Sequence, residues 1–366
     1  MNGERIKLAR KRAGLSLRDL AKKLEDRVSA QAIGKYERGE MTPSSNVLIA
    51  LSKALDASIP YLMAPQGIEL ERVEFRTKAN TAAKDRARVE TEVIEWVERY
   101  LQIEEILELD SAAWSCPDEM PCDVSSAEDA EKLGDKLREA WSLGIDPIPN
   151  MTELLEEKGI KVLIAKLPEK VSGLTCLVRR SSRNDETPVI VVNRAFSLER
   201  RRLTMAHELA HRIINPESAE EGTLEKWCNR VAGAFLMPRL HLEKEIGKHR
   251  NALGYRELID LKRLYRVSAS AFLMRLEQIG VIDQGTKEYA FRTYASGWRS
   301  VEPEPIEDND RRGEFETPHR FERLVYRALA EDLISTVKAA ELLRQPIAVI
   351  EEGLKGPAKA DADYRQ

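Results

Sequence analysis

The sequence has few cysteines, few aromatic residues and no long apolar run. Four cysteines among 366 residues are too few for a disulfide framework and favour a reducing compartment. No apolar run approaches the roughly 18 residues that a membrane-spanning helix needs. The charged N-terminal residues also lack the apolar segment of a signal peptide. We therefore expect a cytoplasmic protein that contains no membrane segment.

Charge is distributed unevenly along the chain. The whole sequence has 58 basic and 62 acidic residues, a net charge of −4. Residues 1–65 hold 12 Lys or Arg against 7 Asp or Glu, which is +5, so the remaining residues carry −9. The length corresponds to about two or three domains. This asymmetry predicts a small nucleic-acid-binding module attached to a larger acidic body.

The pattern of apolar residues predicts an α+β fold that is mostly helical. We expect five short helices in 1–66, a helical connector in 67–112, a main domain in 113–300, a Pro-rich charged linker in 301–316, a small helical C-terminal domain in 317–354 and a disordered tail in 355–366. Within the main domain, short apolar segments at 160–165, 173–178 and 188–193 predict a small three-stranded sheet.

The sharpest local signal is the run M-A-H-E-L-A-H at 205–211. Positions i and i+4 share one face of a helix, so His207 and His211 can direct both imidazoles at one metal ion. Glu208 lies about 100° further round the helix, where its carboxylate can reach a metal-bound water. The chain has only five histidines, so this spacing rarely arises by chance and favours a metal site.

A catalytic zinc ion needs a third protein ligand and one position open to water. On spacing alone the candidates for that ligand are Glu217, Glu220, Glu221, Glu225 and His241. Glu225 lies in the first turn of a predicted helix, where the helix dipole also favours an acidic residue that binds no metal. Spacing therefore leaves the third ligand open.

The motif MAHELAHRI, followed by E-x-x-C-N-R-x-A-x-x-F-L-M-P, resembles the ImmA/IrrE family of zinc metallo-endopeptidases. The similarity extends over about residues 125–280 and keeps the family's order of helix, strand and motif. It implies a zincin-like domain with one Zn²⁺ per chain. It further implies that His207, His211 and Glu225 are the zinc ligands and that Glu208 is the general base.

The resemblance also implies an edge strand that aligns an extended protein substrate. We expect the segment 173–178 in this role, with Gly173, Leu174 and Thr175 beside the substrate, although an ordinary core strand is the alternative. Two residues depart from the family pattern: Cys228 replaces the usual Ala, and Val231 replaces the usual Phe. Neither change removes a ligand, and no residue stands out as the oxyanion stabiliser.

The N-terminal residues L-S-L-R-D-L-A and S-A-Q-A-I-G-K-Y-E-R-G resemble an Xre/Cro-type helix-turn-helix. In that fold the second helix of the motif enters the major groove. The resemblance implies a groove-facing set of Ser29, Gln31, Ala32 and Lys35, with Arg18 and Arg38 as candidates for phosphate contacts. Such modules bind pseudo-palindromic double-stranded operators as dimers, so we expect a homodimer. The alternative is a helix-turn-helix that contacts protein.

These features together predict a DNA-binding transcriptional regulator with zinc-dependent endopeptidase activity. Its substrate is expected to be a partner regulatory protein that is cleaved at a specific site. The alternative is a non-proteolytic DNA-binding antitoxin or autorepressor that neutralises a neighbouring toxin by binding it. The intact H-E-x-x-H motif favours the enzyme.

Overall fold

The computed structural model describes residues 3–63, 68–77, 83–109, 114, 116–169, 171–180, 186–298 and 301–355. Over these ranges helices predominate and a single small sheet lies in the main domain, which confirms the mostly helical α+β class. No helix in the described ranges is both long and apolar enough to cross a bilayer.

The N-terminal head, residues 3–63, contains the five expected helices. They are α1 (Glu4–Arg12), α2 (Leu17–Lys23), α3 (Ala30–Glu37), α4 (Ser45–Leu55) and α5 (Ile59–Met63). Ser16 begins α2 with a capping box, because its Oγ accepts a hydrogen bond from the Asp19 backbone N–H and the Asp19 carboxylate accepts one from the Ser16 N–H. Buried apolar residues such as Ile6, Leu20 and Ile33 close the bundle.

The sheet has four strands rather than the three predicted. They are β1 (Ile68–Thr77), β2 (Lys161–Ala165), β3 (Val171–Arg180) and β4 (Glu186–Asn193), in the spatial order β1-β3-β4-β2. Strand β2 runs parallel to β4, whereas β1 and β4 both run antiparallel to β3. The extra strand, β1, comes from the segment that the sequence predicted to be a helical connector.

The connector was mispredicted because β1 contains a bulge. Between Glu71 and Glu74 the strand advances three residues, whereas β3 advances only two, from Leu177 to Thr175. The extra residue interrupts the alternation of apolar and polar side chains that identifies a strand. The second part of the connector, α6 (Ala83–Ile106), is helical as expected.

The sheet lies between two helices. Val189 and Val191 of β4 belong to the apolar core that includes residues of α6, whereas Ile190 and Val192 face the core that includes α9 (Leu198–Ile213). The alternation follows from the twofold period of a strand. Helix α9 therefore packs directly against the sheet, on the face opposite α6.

The remaining helices surround α9 and close the C-terminal side. They are α7 (Ala127–Ala140), α8 (Met151–Glu157), α10 (Glu221–Leu236), α11 (Arg239–Ile246), α12 (Tyr255–Tyr265), α13 (Ala269–Gln278), α14 (Gln284–Thr293), α15 (Arg320–Ala330), α16 (Thr336–Leu343) and α17 (Ile347–Lys355). The C-terminal helices pack on α6, where the rings of Phe321 and Tyr100 stack with centroids 5.3 Å apart. The described residues end at Lys355, so the rest of the predicted disordered tail lies outside them.

The segment predicted as a linker, 301–316, is attached to the main domain by buried ion pairs. We call this segment the C-terminal strap. Glu307 accepts two hydrogen bonds from Arg201 at 2.7 and 2.8 Å, and Glu302 pairs with Lys262 at 3.0 Å. Glu316 pairs with Arg202. The strap therefore follows the surface of the main domain and does not span a gap between domains.

Candidate metal centre and nucleic-acid interface

Helices α9 and α10 bring three of the predicted site residues together. His207 and His211 lie one turn apart on α9, and their Nε2 atoms are 3.1 Å apart. Glu225 on α10 directs Oε2 to within 3.3 Å of His207 Nε2 and Oε1 to within 3.2 Å of His211 Nε2. In tetrahedral coordination with bonds of about 2.0–2.1 Å, ligand atoms lie about 3.3 Å apart. The spacing and chemistry of these donor atoms therefore fit zinc.

The other sequence candidates for the third ligand do not join this group. Among the described residues, the ligand atoms that could share one metal ion belong to His207, His211 and Glu225. His241 instead lies beside Tyr265, with Nδ1 2.6 Å from the phenol oxygen.

Asn229 orients the first of the histidines, a role that the sequence analysis missed. Its Oδ1 lies 3.0 Å from His207 Nδ1, and its Nδ2 donates a hydrogen bond to the Glu225 carbonyl at 2.8 Å. A carboxamide oxygen accepts, so Nδ1 of His207 carries the proton and Nε2 keeps its lone pair for a metal. The one sign of this role in the sequence was that Asn229 follows Glu225 by four residues, which places both on the same face of α10.

The same cluster perturbs the acid–base chemistry of its members. Burial lowers the pKa of His211, but hydrogen bonds with the Cys228 thiol and the Glu225 carboxylate outweigh it and raise the pKa to about 10. The imidazoles of His207 and His211, which face its carboxylate, hold the pKa of Glu225 well below its usual range. Cys228 is fully buried. Its replacement of the family's usual Ala therefore places a thiol against a candidate ligand.

Glu208 lies on the face of α9 that packs against the sheet. It follows Thr204 by one turn, and a Cβ added to Gly173 of β3 would lie 2.7 Å from Thr204 Cγ2. Only glycine permits this close approach of β3 to α9. The Glu208 side chain is nearly inaccessible, with 2% of the residue exposed.

The expectation that 173–178 forms a free edge strand is wrong. Leu174 pairs with Phe75 of β1 on one side and with Val191 of β4 on the other. Gly173 and Thr175 are likewise paired with both neighbours. The extra strand β1 has taken the position that a substrate was expected to occupy.

The predicted DNA-contacting residues lie on α2, α3 and the start of the following turn. Gln31, Lys35, Ser29, Arg18 and Arg38 are exposed, and Ala32 is half-buried. The Ser29 hydroxyl accepts a hydrogen bond from the Ala32 N–H at 3.2 Å and so begins α3. Arg38 pairs with exposed Glu40 at 2.6 Å.

Helix α1 uses its basic residues for contacts within the chain. Arg5 makes a bidentate pair with Glu98 of α6, and Arg12 lies 2.6 Å from Glu95 of the same helix. Arg10 pairs with Glu37 inside the head at 2.6 Å. The contacts of Arg5 and Arg12 dock the head on α6 and leave α2 and α3 on the exposed side.

Comparison with known families agrees with this architecture. Residues 6–62 match the family model described as helix-turn-helix, and residues 155–277 match the one described as the IrrE N-terminal-like domain, a peptidase family. No curated protein matches the chain. Residues 6–62 therefore form an Xre-type helix-turn-helix domain, and residues 155–277 are similar to the metallopeptidase domains of the ImmA/IrrE family.

Proposed function

We propose that the protein is a DNA-binding transcriptional regulator whose main domain is a zinc-dependent endopeptidase. Its substrate is a partner regulatory protein that is cut at a specific site. The observation that carries this proposal is the triangle of His207, His211 and Glu225 ligand atoms, 3.1–3.3 Å apart. The helix-turn-helix binds a pseudo-palindromic double-stranded operator, and the protein acts there as a homodimer.

Each residue of the centre has a defined role in this proposal. His207, His211 and Glu225 would hold the metal, and Asn229 fixes the tautomer of His207. Bound there, zinc would polarise the scissile carbonyl and lower the pKa of the water. Glu208 would serve as the general base that takes a proton from the attacking water and returns it to the leaving amine.

Metal analysis tests the centre directly. We expect about one zinc per chain in the wild type after gentle purification in the presence of zinc, and almost none in Glu225→Ala. Glu221→Ala is the matched control, because Glu221 is an exposed acidic residue one turn earlier on α10. A zinc-free wild type, or equal zinc in Glu225→Ala, would overturn the proposal.

The same centre admits a second candidate, a DNA-binding antitoxin that acts without proteolysis. Two observations favour it: Glu208 is 2% exposed, and β1 fills the edge of β3. Glu208→Gln separates the two candidates, because it keeps the metal ligands and removes the general base. The peptidase requires that this variant stops cleaving the partner in cells, whereas the antitoxin requires unchanged neutralisation of the toxin.

The DNA-binding role has its own test. We expect Gln31→Ala and Lys35→Ala to weaken operator binding by roughly tenfold or more, because a lost base or phosphate contact costs about 1–3 kcal/mol. Lys53→Ala on α4 is the control, since Lys53 is exposed outside the recognition helix. Fluorescence anisotropy with double-stranded operator DNA gives the affinities. Equal losses in all three variants would contradict the assignment of α3.

A further inference from the structure

Strand β3 lies along the candidate catalytic helix. Gly173 of β3 meets Thr204, and Glu208 lies one turn further along that face of α9. Strand β3 therefore approaches the helix that carries the proposed general base one turn before Glu208. An extended peptide binds a strand edge, such as the edge of β3 that faces away from β4, by adding a strand, because main-chain groups supply the hydrogen bonds.

That edge is filled by the protein's own strand β1. The antiparallel pairing runs from Ile68 opposite Arg180 to Thr77 opposite Val171. Residues Phe75 and Arg76 pair with Leu174 and Gly173, the part of β3 that approaches α9. The main chain of β1 thus occupies the place of an added strand.

We propose that β1 is a tethered competitor of the protein substrate, an inference that rests on the proposed peptidase function. The substrate enters as an extended segment only after β1 has left the edge of β3. A strand on a short tether has an effective concentration in the millimolar range. A free partner at micromolar concentration is therefore excluded until that tether is disturbed.

The attachment of β1 is suited to release from the side of the DNA-binding head. Only residues 64–67 separate β1 from α5, so a displacement of the head pulls on the start of the strand. Ile68 anchors that start with 3% exposure, whereas Leu70 and Val73 are only partly buried against the core beneath α6. Any event that displaces the head from α6 thereby opens access to the metal centre.

A labelled copy of the strand tests the competition. The probe is a fluorescein-labelled peptide of residues Ile68–Thr77, and all proteins carry Glu208→Gln so that the peptide is not cut. The variant designed to release β1 combines Glu74→Pro and Phe75→Pro. Consecutive residues of a strand direct their N–H groups to opposite sides, so one of the two prolines removes a hydrogen bond to β3. Glu74→Ala with Phe75→Ala is the matched control.

We expect the proline pair to bind the peptide at least tenfold more tightly than the wild type or the alanine pair, by fluorescence anisotropy. Equal affinity in the three folded proteins would overturn the inference. If circular dichroism shows that the proline pair is unfolded, Leu70→Ser with Val73→Ser replaces it. That pair removes apolar contacts without changing the backbone, and we expect at least a threefold gain; no gain would again overturn the inference.

Cleavage separates this inference from the proposed function. With Glu208 restored and zinc supplied, we expect the opened protein to cut labelled casein at least tenfold faster than the wild type. Tighter peptide binding without cleavage of casein supports the role of β1 and restricts any peptidase activity to a specific partner. Equal cleavage of casein by wild type and opened protein supports the peptidase and overturns the role of β1.

Discussion

The two ends of the main domain are attached in different ways. On the N-terminal side, the head docks on α6 through Arg5 and Glu98, whose side chains remain 6% and 15% exposed. On the C-terminal side, the strap is held by Arg201 and Glu307, which are 1% and 0% exposed. Both pairs are bidentate, so geometry alone does not distinguish them.

Burial is the feature that separates these attachments. A fully buried pair that loses one partner leaves an unsolvated charge, which makes separation costly. A pair with one partner in contact with water is partly re-solvated when it opens, so its separation costs less. Each pair that docks the head, Arg5 with Glu98 and Arg12 with Glu95, keeps one side chain 15% or 19% exposed, so we expect the head to separate from the main domain more readily than the strap.

Glu307→Ala gives the largest expected effect, because it leaves the Arg201 guanidinium buried without its carboxylate. We expect the free energy of unfolding to fall by about 3–5 kcal/mol in urea denaturation. Glu314→Ala is the control, since Glu314 makes only an exposed pair with Arg311 and should cost under about 1 kcal/mol. A loss below about 1 kcal/mol for Glu307→Ala would remove the distinction between the two attachments.

A double-mutant cycle on Arg5 and Glu98 measures the weaker attachment. We expect a coupling energy of about 1.5–3 kcal/mol, the range for hydrogen bonds between charged groups. Hydrogen exchange should become faster in α1 and β1 while β4 stays protected, because only the head is released. Equal acceleration in β4 would mean that the head and the main domain unfold together.

The parts of the site that could be predicted from sequence are those set by local periodicity. His207 and His211 are four residues apart on one helix, so their shared face follows from helix geometry. Glu225 could be identified as the third ligand only through the family resemblance, because spacing allowed four other candidates. Asn229 acts through a contact with another helix, and its spacing from Glu225 was the only local sign of it.

The parts that could not be predicted depend on distant partners. Strand β1 has apolar residues at 68 and 70 and then at 73 and 75, because its bulge shifts the alternation by one place. Spacings of two and three residues resemble those on a helix. The strap was predicted as a linker because it is charged and rich in proline. Its Glu307, however, pairs with Arg201, which is 106 residues away in the sequence. Sequence shows such charges without showing that their partners bury them.

Glu156 lies at the junction between α6 and the main domain. Tyr100 of α6 donates a hydrogen bond to its carboxylate at 3.2 Å. Burial raises the pKa of Glu156 to about 7, despite that hydrogen bond. The unfolded value is about 4.3, so this group destabilises the folded protein progressively as the pH rises from about 4 to 7.

Glu156→Gln removes that charge and keeps an acceptor for Tyr100. We expect it to raise the free energy of unfolding by roughly 3 kcal/mol more at pH 8 than at pH 4.5, since each pKa unit corresponds to about 1.4 kcal/mol. Urea denaturation at the two pH values measures the difference. Glu157→Gln, at an exposed neighbouring position, should show no such dependence, and a pH-independent effect of Glu156→Gln would contradict the buried charge.

The smallest expected change in stability is at the exposed surface of the head. Arg38 and Glu40 are 59% and 50% exposed in their side chains, and such pairs contribute about 0–1 kcal/mol. Glu40→Gln should therefore leave the unfolding free energy nearly unchanged, yet it frees Arg38 and removes a negative charge from the proposed DNA-binding face. We expect operator affinity to rise a few-fold, with a steeper decrease as salt is added, because one more phosphate contact releases one more counterion. An unchanged affinity and salt slope would assign Arg38 to the fold of the head and take it out of the DNA interface.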